Sequence, residues 1–318
     1  MRAIVAILML AAATAADACT TFCTRGLFGR NYDFEIGYGL VMVNKRDVRK
    51  TSQKEVRPAA WTSRYGSLTF NQFGRDSATG GMNEKGLVVE LMWLDGTRYP
   101  EADARSELGT LEWIQYQLDT ASTVAEVIAS DAKVRIGQGA PLHYLVADAA
   151  GDKAAIEFLD GKMVVHRDAN VLANDPYSES VAAAKRGARD RFARASQGMP
   201  AATNVDAAFA LLDEVAQPHT QWSIVYDIRN RAVHWRTARN RAKRSVKLAS
   251  FDFSCATPVQ IADVDSDRFT SYTREQNAAL VRRSVRGTSF LKNTPDAEIE
   301  ESARWPERSA CTAPALVR

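Results

Sequence analysis

The stretch ADACTTFC, residues 16–23, decides how the rest of the chain is interpreted. It ends an apolar N-terminal run and places Cys19 directly after it, with Cys23 four residues later. Such a cysteine can be half of a disulfide, a lipid attachment site, or, once the preceding residues are removed, a terminal residue with both a thiol and a free α-amine. In the third case the residues TTF, which are typical of strands, begin the first strand of a central sheet.

Residues 1–18 have the pattern of a secretory signal peptide. Arg2 supplies the positive start, an apolar core follows, and Ala16 and Ala18 occupy the −3 and −1 positions of an A-x-A cleavage site. The apolar run is too short to span a membrane. We therefore expect cleavage before Cys19 and an exported protein, periplasmic or secreted, without stable membrane insertion.

Composition and charge exclude some classes of function. The formal net charge of +3 over 318 residues is too small for the basic stripe of a nucleic-acid-binding protein, so we expect no nucleic-acid partner. The sequence contains no fixed-period repeat, low-complexity segment or linker rich in proline, glycine or serine. Residues 19–318 are therefore predicted to form a single domain.

The four cysteines fall into two pairs. Export implies an oxidising compartment, and Cys255 and Cys311 flank the C-terminal segment, which a disulfide between them could tie down. Cys19 and Cys23 could form a disulfide only in a tight loop, because strand positions this far apart diverge. We expect at least one of these two thiols to be free, and a free thiol in a secreted protein calls for a chemical explanation.

Blocks of predicted strands alternate with blocks of predicted helices, without regular βαβ spacing, which indicates an α+β fold built in layers. Predicted strands lie at 39–46 and 65–74, within 80–93 around a polar turn at 83–86, and within 141–167 around the short turns AAGD (149–152) and DG (160–161). A candidate hairpin lies at 221–238. A helical block is predicted at 109–131, and helices are predicted at 178–197, 203–216 and 272–285.

A terminal cysteine carries its own general base. An α-amine with a pKa of about 8 can take the thiol proton and later return it to a leaving amine. Such a site needs no histidine, and His143, His166, His219 and His234 each lie singly in extended or turn segments, where we expect structural roles. No metal-binding spacing is present, so we expect neither a metal nor another cofactor.

The thiolate also needs a nearby cation, a carboxylate to orient the amine, and donors for the oxyanion. The stretch GRNYDF, residues 29–34, supplies Arg30 and Asp33 three residues apart. The alternative interpretation of this pair is a surface ion pair that contributes little energy.

Five motifs in order, CTTFC, GRNYDF, GGMNEKGL, LANDPY and RDRFARA, resemble the choloylglycine hydrolase family of N-terminal-nucleophile hydrolases, which contains bile salt hydrolases and penicillin V acylases. The resemblance extends from Cys19 to about residue 239. It implies a four-layer αββα sandwich. It also implies hydrolysis of linear amide C–N bonds in small N-acyl amides such as penicillin V, N-acyl homoserine lactones or conjugated bile salts, through an acyl-thioester intermediate.

The resemblance assigns a role to each matching residue. Cys19 matches the nucleophile, Arg30 and Asp33 match the residues that poise the thiol and bind the α-amine, Asn174 matches the oxyanion asparagine, and Arg191 matches the arginine of the family's S-R-F motif. Without the resemblance, Asn174 is interpreted as a turn residue before a proline and Arg191 as a solvated residue on an arginine-rich helix.

The chain departs from bile salt hydrolases in three places. The short gap from Cys19 to Arg30 trims the first hairpin, and the short gap from Asn174 to Arg191 removes the excursion that helps those enzymes form tetramers, although a homo-oligomer stays an open alternative. Trp93 stands where they place an asparagine, and we expect Trp93 and Phe34 to contact the acyl group. Either ring could equally be packed in the core.

Three other functions compete with this hypothesis. A lipid-anchored binding protein, acylated on Cys19, is disfavoured because Ala16 replaces the usual leucine and Asp17 follows it. An acyltransferase on the same fold would pass the acyl group to an amine instead of water. A papain-like enzyme is the weakest candidate, because CTTFC lacks that family's signature and no partner histidine is evident.

Overall fold

The computed structural model describes residues 19–312, so the predicted signal peptide at 1–18 lies outside the described residues. Helices among these residues are α1 (Thr110–Thr120), α2 (Val124–Ala129), α3 (Tyr177–Lys185), α4 (Arg191–Gly198), α5 (Val205–Glu214), α6 (Arg274–Gly287) and α7 (Asp296–Arg304). Short 3₁₀ turns lie at Ser130–Ala132, Met199–Ala201, Leu248–Ser250 and Trp305–Arg308.

The strands are numbered along the chain. The first ten are β1 (Thr20–Thr24), β2 (Leu27–Asp33), β3 (Leu40–Asn44), β4 (Val48–Thr51), β5 (Ala60–Thr62), β6 (Ser67–Asn71), β7 (Ala78–Asn83), β8 (Val88–Trp93), β9 (Ser106–Leu108) and β10 (Val134–Ile136). The others are β11 (Leu142–Ala147), β12 (Lys153–Leu159), β13 (Lys162–Arg167), β14 (Val171–Leu172), β15 (Thr220–Asp227), β16 (Ala232–Thr237), β17 (Arg244–Lys247), β18 (Gln260–Asp263), β19 (Thr270–Ser271) and β20 (Ala310–Cys311).

Two large antiparallel sheets organise these strands. One has six strands in the order β14-β1-β2-β15-β16-β17, and the other has nine in the order β13-β12-β11-β8-β7-β6-β3-β18-β19. Smaller sheets pair β9 with β10, and β4 with β5 and β20. The predicted hairpin at 221–238 is confirmed as β15 and β16, which pair directly.

The two large sheets pack face to face and a helical layer covers each outer face. Between the sheets lie large buried side chains such as Phe28, Phe70 and Trp222. Outside the nine-stranded sheet, Trp113 of α1 belongs to a second buried cluster. Outside the six-stranded sheet, Leu212 of α5 belongs to a third. These clusters make four layers in the order αββα, and the predicted fold class is confirmed.

The prediction of one helix over 178–197 is wrong. Gly187 adopts a left-handed backbone with φ of +90°, which ends the first helix, and the side chain of Asp190 accepts a hydrogen bond from the N–H of Ala193 to begin the second. The break places Arg191 at the first residue of α4, which packs on the six-stranded sheet.

The cysteines behave as two separate pairs. Cys255 and Cys311 form a disulfide with their Cα atoms 5.4 Å apart, as the sequence allowed. Cys19 and Cys23 are both buried and both free, which confirms the expected free thiol. Among the helices of residues 19–312, none combines the length and the apolar character that crossing a membrane requires.

Candidate active site

Cys19 lies immediately before β1, at the edge where the adjacent strand β2 ends, because these two strands are antiparallel. Its side chain is 3% exposed. The thiol Sγ lies 3.8 Å from the backbone oxygen of Asp33 and 3.9 Å from Nη2 of Arg30. Burial raises the pKa of the Cys19 thiol, and the positive charge of Arg30 opposes that rise.

Arg30 is fixed from several sides in the middle of β2. Its Nη1 donates to the carbonyl of Thr79 at 2.9 Å and to the carboxylate of Glu90, and its Nη2 donates to the carbonyl of Leu91 at 3.2 Å. Burial alone would lower the pKa of Arg30, but Glu90, helped by Cys19 and the two tyrosines Tyr32 and Tyr226, opposes burial and the pKa is raised. Arg30 therefore stays a cation beside the thiol.

Glu90 is the counter-ion that makes this arginine tolerable in the core. It is fully buried in β8 and also accepts a hydrogen bond from the hydroxyl of Tyr226 at 2.5 Å. Its cross-strand neighbour is Gly80, where a Cβ atom would collide with the carboxylate. The first glycine of GGMNEKGL thus makes room for Glu90, and breaking such a buried pair costs about 3–5 kcal/mol.

Asp33 ends β2 with one satisfied and one unsatisfied carboxylate oxygen. Its Oδ1 accepts a hydrogen bond from Thr220 Oγ1 at 2.5 Å, and its Oδ2 lies 3.6 Å from Nη1 of Arg191. No described residue forms a hydrogen bond with that buried Oδ2. Burial raises the pKa of Asp33, while Thr220, Arg191 and His219 oppose the rise. A buried acceptor beside Cys19 suits an ammonium group.

Arg191 joins the separate parts of the site. Its Nη1 donates to the carbonyl of Cys19 at 3.3 Å and to the hydroxyl of Thr20 at 3.1 Å, and its Nη2 donates to Oδ1 of Asn174 at 3.1 Å. This arginine is largely buried and not a solvated residue of a helix surface.

Asn174 follows β14 in the loop before α3. Its Nδ2 donates to the backbone oxygen of Trp93 at 2.7 Å, so both polar atoms of its amide have partners. Because the amide nitrogen carries two hydrogens, one stays for a substrate oxyanion. The structure thus brings together Cys19, Arg30, Asp33, Asn174 and Arg191.

A buried network that the sequence analysis missed holds the Asn174 loop. His143 Nε2 lies 2.7 Å from the carbonyl oxygen of Ala173, and His143 Nδ1 lies 3.1 Å from Glu157. Since a carbonyl only accepts, Nε2 carries the proton. Glu157 also accepts from the backbone N–H of Tyr177 at 2.9 Å. The network fixes the chain on both sides of Asn174.

The two predicted acyl-contacting residues lie near this constellation. Phe34 directly follows Asp33 and Trp93 ends β8, and both are half-buried. A third ring, Phe290, lies with its centroid 6.4 Å from that of Phe34 and 6.2 Å from that of Trp93. The rings meet beside the loop of Asn174, because Trp93 supplies the carbonyl that Asn174 binds.

Residues 19–184, more than half of the chain, match the family model described as linear amide C–N hydrolases, choloylglycine hydrolase family. The chain belongs to the choloylglycine hydrolase family. The resemblance predicted from the five sequence motifs is therefore confirmed.

Relatives within the choloylglycine hydrolase family include penicillin V acylases. The chain is 37% identical over 135 residues to a penicillin V acylase of Pectobacterium atrosepticum, and this match covers 36% of each protein, so it spans about a third of the length of that curated relative. A penicillin V acylase from Agrobacterium tumefaciens shares the fold with a TM-score of 0.69 and 25% identity, covering 80% of this chain and 94% of that chain.

A more distant structure shares only the fold. A conjugated bile acid hydrolase mutant from Clostridium perfringens superposes with a TM-score of 0.64 at 18% identity, covering 80% of this chain and 97% of that chain.

Some residues of this candidate site gave a sequence signal and others gave none. Glu90 stands alone as a charge in the apolar run VVELMW, which indicates a buried acid that needs a partner. Phe290 gave no signal, because its place depends on how α6 and α7 pack. Residues 19–312 contain no cluster of three histidine, cysteine, aspartate or glutamate side chains arranged to hold a metal ion.

Proposed function

We propose that this protein is an exported amide hydrolase that becomes active when cleavage after Ala18 makes Cys19 the first residue. The substrate is a small N-acyl amide, and the acyl group passes through a thioester on Cys19. The observation that carries this proposal is the placement of the Cys19 thiol 3.9 Å from the guanidinium of Arg30, a buried cation paired with Glu90.

In the first step the α-amine of Cys19 takes the thiol proton, and the thiolate attacks the amide carbonyl. Burial raises the pKa of this thiol, so a base at the site is needed in addition to Arg30. The buried Oδ2 of Asp33 is suited to bind the resulting ammonium. Asn174 donates its second amide hydrogen to the oxyanion.

In the second step the ammonium gives its proton to the leaving amine, and the C–N bond breaks to leave the thioester. Water then loses a proton to the same amine and attacks the thioester carbonyl. The acid leaves and the thiol is restored. Arg191 holds the nucleophile and the oxyanion donor in a fixed relative position, because it binds both the Cys19 carbonyl and the Asn174 amide.

Intact mass and a substrate panel test the proposal. The full-length chain is expressed with export, and the mass of the mature protein is measured. We expect a chain that begins at unmodified Cys19, whereas a diacylglyceryl adduct would overturn the proposal in favour of a lipid-anchored protein.

The processed protein is then assayed against penicillin V, conjugated bile salts, N-acyl homoserine lactones and N-acylethanolamines. We expect release of the free acid and, after rapid quenching, an acyl adduct on the peptide that contains Cys19. An amine acceptor added in competition distinguishes hydrolysis from acyl transfer. Absence of cleavage across the panel would contradict the proposed activity.

A further inference from the structure

The connection between α6 and α7 carries an aromatic ring to the active site from a part of the chain far from the nucleophile in sequence. This connection lies outside residues 19–184, the segment that matches the family model. Its Phe290 is half-buried and contacts the rings of both Phe34 and Trp93.

A two-point contact fastens this connection beside β2. The backbone N–H of Ser289 donates to one carboxylate oxygen of Glu35 at 2.7 Å, and the hydroxyl of Ser289 donates to the other at 2.6 Å. Glu35 is two residues after Asp33, and the backbone oxygen of the intervening Phe34 accepts from Gln221 at 2.9 Å. The anchor therefore belongs to the same fixed segment as the site carboxylate.

The rest of the connection is also fixed. Arg286, in the last turn of α6, donates to the carbonyls of Lys292 at 2.5 Å and Thr294 at 2.7 Å, and pairs with Asp296 at the start of α7. Leu291, the residue after Phe290, is buried. Phe290 is thus held in position from both sides.

Two of these rings belong to residues that are directly connected to the candidate site. Phe34 follows Asp33, whose backbone oxygen contacts the thiol, and Trp93 provides the carbonyl that binds Asn174. The rings of Phe34 and Phe290 meet edge to face at 89°, and Phe73 contacts Phe34 in the same way with centroids 6.1 Å apart. Edge-to-face surroundings of this kind favour a further aromatic ring.

We propose that Phe290, held by the contact of Ser289 with Glu35, is a specificity-determining residue that forms the third wall of the acyl pocket and selects acyl groups ending in a single aromatic ring. This inference rests on the proposed amide hydrolysis at Cys19. Phe290 contacts the acyl group and takes no part in bond breaking.

The test compares two substrates on each variant. We expect Phe290→Ala to lower kcat/KM for penicillin V, whose phenoxyacetyl group ends in a ring, by about tenfold, and to change kcat/KM for N-decanoyl homoserine lactone by less than about twofold. The ratio of the two values does not depend on how much of the variant is folded. Phe290→Leu serves if the alanine variant is not recovered.

Matched variants distinguish direct contact of Phe290 with the acyl group from a purely structural role of this ring. Ser289→Ala and Glu35→Gln should shift the ratio in the same direction by a smaller factor, about two- to fivefold. Phe269→Ala should leave the ratio unchanged, because that ring pairs with Phe251, elsewhere in the C-terminal part of the chain. An equal change for both substrates in Phe290→Ala would overturn the proposal, since a ring that only blocks or supports the site cannot discriminate between them.

A binding measurement keeps this proposal separate from the proposed function. If the wild type cleaves neither substrate, the hydrolase proposal fails, and the wall is tested by calorimetric titration of phenoxyacetate into Cys19→Ala with and without Phe290→Ala. A Kd for phenoxyacetate that Phe290→Ala raises about tenfold supports the proposed role of Phe290. A Kd that is the same in both proteins, or unmeasurable in both, overturns it.

Discussion

Two free, buried cysteines lie at strand β1, Cys19 immediately before it and Cys23 near its end, and they differ in what surrounds the sulfur. The Cys19 thiol faces the guanidinium of Arg30, and the backbone carbonyl of Cys19 accepts a hydrogen bond from Arg191. Burial raises the pKa of Cys23 to about 12, and only Lys153 opposes that rise. Burial is therefore shared by both thiols, and the arranged charges are what distinguish a candidate nucleophile from a core residue.

The largest expected effect separates the two cysteines directly. Cys19→Ala should lower kcat/KM for amide hydrolysis by about 10⁴-fold or more, because no other group can form the thioester. Cys23→Ala should stay within about threefold of wild type and lose about 1–2 kcal/mol of stability through a small cavity. Steady-state kinetics and denaturant unfolding measure the two quantities. Equal loss of activity in both variants would break the distinction.

The next effect compares two asparagines near the same strand. Asn174→Ala should lower kcat about 10²–10³-fold by removing an oxyanion donor. Asn170→Ala is the matched control, since Asn170 binds the backbone N–H of Cys23 through its own carbonyl, which the substitution keeps. Both variants should fold, as judged by circular dichroism. Near-normal turnover by Asn174→Ala would remove this residue from the site.

A smaller effect is expected from substitutions in strand β12, which contains Glu157 in the network around Asn174 and Lys153 near Cys23. Glu157→Gln should lower kcat about tenfold with little change in KM, because the carboxylate positions Asn174 only through His143 and the backbone of Tyr177. Lys153→Gln, at the Cys23 end, should leave both kinetic parameters near wild type. An effect of Glu157→Gln on KM alone would argue against a role in placing the oxyanion donor.

The smallest effect on turnover is expected from the two disulfide-bonded cysteines, Cys255 and Cys311. The double variant Cys255→Ala with Cys311→Ala should keep kcat within about twofold while losing about 2–4 kcal/mol of stability, since the disulfide spans 56 residues. Thermal unfolding with and without reductant checks this expectation. A selective loss with aromatic acyl substrates would instead connect the disulfide to the position of Phe290.

Much of the fold could be predicted from local patterns, and the site only in part. Strand alternation and short polar turns predicted the hairpins, because these signals act between neighbouring residues. The break between α3 and α4 was missed, because a single left-handed glycine inside an alanine- and arginine-rich run is a weak signal against helix propensity. Without that break Arg191 would not begin a helix beside Cys19.

The remaining parts of the site depend on distances that no local pattern encodes. Arg30 and Asp33 could be named from one motif, and their placement beside Cys19 follows from the pairing of β1 with β2. Glu90 reaches Arg30 from a strand of the other large sheet, and Tyr226, which shares the sheet of Arg30, donates a hydrogen bond to Glu90. Their role depends on the packing of one sheet on the other, which no local sequence pattern specifies.

The pairing of Gly80 with Glu90 has a consequence for how this protein can change. Any side chain at position 80 would collide with the carboxylate, so a substitution there displaces Glu90 from its place beside Arg30. A substitution at position 90 by a smaller residue would remove the collision but leave Arg30 without its counter-ion. The order of mutations is therefore constrained, because a lineage that replaces the Arg30–Glu90 pair must first tolerate a buried unpaired charge. Positions 80 and 90 are expected to covary.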